Sequence, residues 1–297
     1  MLQACHPLFA VAALASLAPV MLRFRSGIRG TALVAAWRAA LIVWLACLIV
    51  TGVTVATLPG RPWLDMLWYV CSVLALTPPI AVLGARRPTF RAWTWFVLVP
   101  LVLVFVWPLV PAWRSLLGSG AFNVEEPVVF GYALVLLMGA GNYLGLRYTP
   151  AAVLWMTGLL LVVLPLCPGA AGWCPAAGLG RTWGMLCLAA AAWCADRLAV
   201  WRNTHEATER ARLDRVWCDF RDLFGIVWAR RIQERFNDDA RQKDLPVRLG
   251  MHGLEDASGK SPGEQAGQQS LASAEASLRW LLQKFVDPEW IDRRLSQ

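Results

Sequence analysis

The chain has 297 residues, of which 57% are hydrophobic and 16% charged, with a mean hydropathy of +0.48. An average soluble domain is about 45–50% apolar and about one quarter charged, so a soluble globular protein is excluded and a polytopic membrane protein is indicated. The net charge of +8 does not point to nucleic acid, because residues 1–195 carry eleven arginines against Asp65, Glu125 and Glu126, whereas from Asp196 onward seventeen bases meet seventeen acids.

Apolar runs fall at about 4–22, 39–58, 64–84, 92–112, 128–146, 151–171 and 182–201. Each approaches the roughly 20 residues that a helix needs to cross a bilayer, which predicts seven spans, the first short and interrupted by Pro19. Leu2–Cys5 resembles a lipobox, but no apolar region precedes it, so the first run reads as an uncleaved span. The loops give the orientation. Arg23, Arg25, Arg29, Arg38, Arg86, Arg87, Arg91 and Arg147 fall in alternate loops that hold no acid. By the positive-inside rule those loops are cytoplasmic, with the N-terminus outside and the C-terminal tail inside a bacterial inner membrane. Trp37, Trp63, Trp93, Trp95, Trp113, Trp173 and Trp183 mark the expected boundaries as interfacial anchors.

The stretch from Thr182 to Asn237 contains no proline, and as one helix it would measure roughly 84 Å at 1.5 Å per residue, far more than a membrane requires. Its residues divide it into a span to about Trp201, a polar stalk to Arg212 and an apolar face from Leu213. Leu213, Val216, Trp217, Phe220, Leu223, Phe224 and Val227 recur at spacings of three and four, and Arg231 and Arg235 continue that face. Gly225 is the expected bend. From Leu245, LPVRLGMHG reads as a short extended segment with a turn, and residues 255–270 as a flexible linker. Leu271, Ala274, Leu278, Leu281, Leu282 and Phe285 repeat at helical spacing. Asp287 and Pro288 then read as the N-cap and first position of a closing helix. The expected fold is therefore all-α: a transmembrane bundle over 1–201 and a small helical cytoplasmic module over 202–297, its core made by the 213–228 and 271–285 faces.

Catalytic patterns are missing. The only histidines are His6, His205 and His252, none in the middle of a span, and there is no HExxH, CxxC, Walker A or GxGxxG motif. All three lysines, Lys243, Lys260 and Lys284, lie in the tail, which excludes a retinal Schiff base in the bundle. No catalytic residue, metal or cofactor follows from the sequence.

Polar residues inside a membrane are costly and therefore informative. In GAGNYLGLRY (139–148), the fifth span places Asn142 and Tyr143 among glycines. Gly141 and Gly145 form a GxxxG spacing suited to close helix approach, and Asn142 is placed to hydrogen-bond across a helix interface or to line a polar pathway. Asp196 and Arg197 read as an interfacial anchor. Cys167 and Cys174 flank an outer loop where a disulfide could form in an oxidising compartment.

Residues 74–108 (LALTPPIAVLGARRPTFRAWTWFVLVPLVLVFVWP) and 220–249 (FRDLFGIVWARRIQERFNDDARQKDLPVRL), with KFVDPEWIDRRL at 284–295, resemble uncharacterised multi-pass membrane proteins of planctomycete-type bacteria. That resemblance implies the architecture and adds no catalytic residue.

A bundle poor in chemistry joined to a tail rich in aromatic and arginine side chains leads to a non-enzymatic membrane protein anchoring an assembly or docking module. Trp217, Phe220, Phe224, Trp228, Arg231 and Arg235 are either its contact anchors or the tail's own core. Its expected partners are membrane lipids and another membrane or cytoplasmic protein or its own copies, with no nucleic acid. Two alternatives stay open: a carrier or lipid-handling protein with Asn142, Tyr143 and Arg147 near a cavity, and a membrane enzyme acting at the lipid interface.

Overall fold

The structure, a computed structural model, describes residues 2–57, 61–87, 90–112, 122–167, 177–200, 208–256 and 264–296. The chain begins with α1 (Leu2–Ala15) and α2 (Ala18–Gly27), which restarts at Pro19, where a missing N–H costs nothing. Helix α3 (Val34–Ala56) follows, then α4 (Pro62–Ala75) and α5 (Thr77–Leu83), the second restarting at Pro78 and Pro79. The next rod comprises α6 (Phe90–Trp93), a π-turn at Thr94–Leu98 and α7 (Val99–Val106), continued by α8 (Leu109–Ala112). Helices α9 (Glu126–Gly141), α10 (Thr149–Val163) and α11 (Ala177–Val200) complete the bundle.

Among the described residues, six helical stretches are long and apolar enough to cross a membrane: Pro7–Gly27, Val34–Ala56, Pro62–Leu83, Thr94–Ala112, Thr149–Leu166 and Gly178–Val200. The fifth expected span is shorter than its sequence implied. Helix α9 has 16 residues, about 24 Å at 1.5 Å per residue, and ends at Gly141. Residues 142–148 form turns, with Gly145 at φ +79°. Hydropathy reads through this turn because Leu144 and Leu146 are as apolar as a helix interior.

The bundle centres on α4 and α5, where Trp68, Tyr69, Val73 and Ile80, and Leu76 at the junction of the two helices, are fully enclosed. Tyr69 donates to the Phe105 carbonyl at 2.7 Å, so this buried phenol is paired. Trp95, Phe96, Trp107 and Phe130 are more than two thirds exposed, as lipid-facing side chains are. The closest helix approach joins α10 to α11: a Cβ on Gly158 would lie 2.8 Å from the Gly184 carbonyl, and one on Gly184 equally near the Gly158 carbonyl. The expected GxxxG pair does not have this role. A Cβ on Gly141 or Gly145 would meet nothing within 4 Å, because both glycines lie at or beyond the end of α9.

Beyond residue 207 come α12 (Glu209–Gln242), an antiparallel hairpin of β1 (Val247–Leu249) with β2 (Leu254–Asp256), α13 (Glu264–Leu282) and α14 (Pro288–Leu295). Three expectations change here. Most of the stalk, 201–207, lies outside the described residues, but 208–212 is no free stalk: Thr208 caps α12, and Arg210 donates to the Leu254 carbonyl at 2.6 Å. Of the segment read as a linker over 255–270, residues 255–256 complete β2 and 264–270 are helical, α13 beginning seven residues earlier than its apolar repeat. Asp287 does precede Pro288 at the N-cap position, yet its carboxylate turns away from the helix to Arg87.

The expected core of the tail is present. Phe285 of the 271–285 segment stands edge-on to Phe220, Phe224 and Trp228, with ring centroids 5.3, 5.5 and 4.8 Å apart. That core does not stop at the tail. It runs continuously into Ile28, Leu33, Ile80, Val82 and Leu98 of the bundle, so the C-terminal segment and the bundle share one apolar interior.

Candidate functional site

The feature that joins the two halves is a break in α12. Gly225 has φ +81° and ψ 176°, a combination essentially reserved for glycine. A helix broken there loses its internal hydrogen bonds, and the end of α9 supplies replacements. The Asn142 carbonyl accepts from the Ile226 N–H at 2.9 Å, its side-chain oxygen accepts from the Val227 N–H at 3.1 Å, and its Nδ2 donates to the Phe224 carbonyl at 3.2 Å. Tyr143 donates to the Leu223 carbonyl at 3.3 Å. A Cβ on Gly225 would lie 2.1 Å from the Asn142 amide nitrogen, so the glycine is needed both for its conformation and for its lack of a side chain. Asn142 and Tyr143, read from sequence as polar groups within a span, are thus placed past the helix end, bound to backbone of the C-terminal segment.

A second seam lies alongside. Thr31 bridges Val286, the Ala32 N–H donates to the Phe285 carbonyl at 2.7 Å, and the Asp287 N–H donates to the Gly30 carbonyl at 2.6 Å. Arg87 pairs with Asp287, and its N–H donates to the Lys284 carbonyl at 2.9 Å. Trp228 donates to the Val82 carbonyl at 3.1 Å. These are backbone, side-chain and charge-assisted bonds to two bundle loops and to the end of α5, which fix the orientation of the segment as well as its position.

Of the six residues singled out on α12, Trp217, Phe220 and Phe224 are 0% exposed and Trp228 is 7% exposed. Their aromatic face is spent inside the chain, so the core alternative describes their surroundings. Arg231 and Arg235 stay exposed, with the Arg231 guanidinium over the Trp228 ring. Asp196 is enclosed on α11 and accepts from Arg23 at 2.8 Å, a tie to α2 that the sequence reading did not contain. Cys174 lies outside the described residues; Cys167 approaches the Val163 carbonyl at 3.5 Å. No group of three His, Cys, Asp or Glu side chains is placed to hold a metal among the described residues.

Beside these contacts of Asn142 and Gly225, which act as a latch, the bundle lines an open-sided cavity of about 390 Å³, within the range of small-molecule sites. Its walls come from α1 to α3, α5 and α9 to α11, including Trp44, Pro79, Trp155, Leu188 and Ala191, and are almost wholly apolar. Its polar members gather where α12 reaches it: Tyr143, Tyr148 and Asp222. Asp222 is 6% exposed and accepts two bonds from Arg221, at 2.8 and 2.9 Å. Burial raises its carboxyl above the usual range, and the Arg221 and Arg147 charges oppose that rise. Of the residues that the lipid-handling alternative placed near a cavity, Tyr143 lines this one, whereas Asn142 and Arg147 are not among its lining residues. Asp222 and Tyr148 were missed by sequence reasoning. The one local signal was an acid between Arg221 and Leu223, beside the apolar stripe of α12.

The fold is that of a nearly all-α membrane-type helix bundle, with six helices among the described residues long and apolar enough to cross a bilayer and an apolar cavity between them. No protein-family model, curated protein or solved structure matches the chain.

Proposed function

We propose that the protein binds a membrane lipid, holding one apolar chain in the bundle cavity above a floor supplied by the C-terminal segment. The observation that carries this reading is the cavity itself: about 390 Å³ of almost purely apolar lining, with its few polar groups confined to one corner. Apolar cavities exclude water and take apolar guests, and in a bilayer the abundant guest is an acyl or isoprenoid chain. The polar corner of Tyr143, Tyr148 and Asp222, with Arg147 nearby, offers donors and charges of both signs to a headgroup. On this reading the docking face of the tail serves the chain's own bundle, and the floor faces the cytoplasm as the arginine distribution expects.

The test is native mass spectrometry of the full chain released from nanodiscs, compared with Ala152→Phe and Ala191→Phe, which fill the cavity from two walls. The reading expects one tightly retained lipid per chain in the wild type and its loss in both variants at unchanged melting temperature. Equal retention in all three proteins would defeat it.

A further inference from the structure

A second recess, of about 340 Å³, lies on the far side of the seam, between the turn that follows α5, the distal half of α12 and the end of α13. Arg86, Arg231, Arg235 and Lys284 face it, along with Glu234 and Asp238. The bases outnumber the acids by four to two. Asp238 is engaged by Arg241 at 2.5 Å, and neither Arg231 nor Lys284 is paired with a carboxylate among the described residues. Both are held by ring faces instead: the Arg231 guanidinium lies 5.0 Å from the Trp228 centroid and the Lys284 ammonium 4.9 Å from that of Trp280. A cation on an aromatic face keeps its N–H donors available. Arg231 and Arg235 are one helical turn apart, so their guanidinium groups project from the same side of α12.

Such an arrangement has a cost without a ligand, because like charges gathered in one recess repel. Guanidinium groups match phosphate oxygens in planar, bidentate geometry. Arg86 lies in the turn just past the end of α5, and Trp280, whose ring faces Lys284, is 60% exposed; an exposed tryptophan beside basic side chains is the composition that a bilayer's headgroup region favours.

We propose that this recess is a phosphate-binding site, independent of the apolar cavity, whose ligand is an anionic phospholipid headgroup or a free phosphate. The two sources share one chemistry, and the test separates them. The full chain is reconstituted in nanodiscs of phosphatidylcholine alone or with phosphatidylglycerol, and lipid retention is read by native mass spectrometry. In parallel, inorganic phosphate is titrated against the chain in neutral detergent, with thermal shift as the readout. The variants are Arg231→Gln with Arg235→Gln, and as a control of equal charge Arg212→Gln with Arg248→Gln, two exposed arginines away from the recess. Arg235→Gln alone carries the test if the double variant melts early, since Arg235 supports no packing.

Losing a charge-assisted contact weakens binding by about tenfold or more. Preferential retention of phosphatidylglycerol, abolished in the recess variant only, identifies a lipid headgroup. A saturable shift with inorganic phosphate, abolished in the same variant, identifies free phosphate. The proposal is overturned if neither ligand distinguishes wild type from the recess variant, or if the control variant loses binding equally.

Discussion

Replacing Asn142 by alanine should open α12 at its break without unfolding the bundle. The substitution removes a donor to the Phe224 carbonyl and an acceptor for the Val227 N–H. Phe224 is fully enclosed whereas Val227 is 38% exposed, so the carbonyl carries most of the penalty and water relieves part of the other. At about 1–3 kcal/mol for a buried group left unpaired, and less for a hydrated one, the latch loses about 2–4 kcal/mol. Read by hydrogen exchange in nanodiscs, the amides around the break should exchange about 30- to 1,000-fold faster, while those of α4 and α10 stay as they were. Gly225→Ala should act on the same event, through about 1–3 kcal/mol of backbone strain and a collision with the Asn142 amide. Because alanine at 142 removes the collision, the double variant should lose less than the sum of the single losses. Unchanged exchange at 224–228 in Asn142→Ala would refute the idea that this side chain holds the break.

Gly158→Leu should destabilise the bundle by at least the roughly 1–3 kcal/mol typical of overpacking, because its Cβ would press on the Gly184 carbonyl; Gly141→Ala should be tolerated, and thermal melting in detergent separates the two. For Asp222, whose folded carboxyl is raised above an unfolded value of about 3.9, the sign runs against acid denaturation. Its charged form is a cost at neutral pH, relieved as pH falls through the folded value, so any melting advantage of Asp222→Asn over wild type should shrink between pH 7 and about 4. Asp239 behaves oppositely: hydrogen bonds from Lys243 and Ser277 lower its carboxyl, so the stability it contributes is held above about 3.9 and lost as pH falls through its lower folded value. Asp239→Asn should abolish that acid-side loss in a pH series of melting curves. Arg23→Gln strands the enclosed Asp196 carboxylate and should lower the melting temperature, and adding Asp196→Asn should restore most of it.

The reach of the sequence differed between these features for physical reasons. Apolar runs and the absence of charge give a helix bundle directly, since a bilayer imposes length and composition. The aromatic stripe of α12 and the bend at Gly225 were legible because helical periodicity and glycine are local signals. Asn142 was visible as unusual, but hydropathy does not mark where a helix stops among leucines, so its place beyond α9 and its backbone partners were not. Nor were the ties between Arg87 and Asp287 or Arg23 and Asp196, which join residues far apart in the chain and leave no spacing to read. The close glycines did carry a signal that was overlooked. Gly180 and Gly184 are four apart in α11, and it is there that α10 packs most tightly, Gly180 lying near the Leu161 carbonyl. The shared core of bundle and tail was hidden for a related reason: an apolar stripe states that it needs a partner and does not name one.

The account turns on whether the chamber above Asp222 holds a lipid chain. A cryo-electron microscopy map of the full chain in lipid nanodiscs addresses this directly. The expected result is elongated density between Trp44, Trp155 and Leu188, ending at Tyr148 and Asp222 with the Asn142 latch closed. A chamber collapsed by direct contact of its walls, with no density inside, would contradict it.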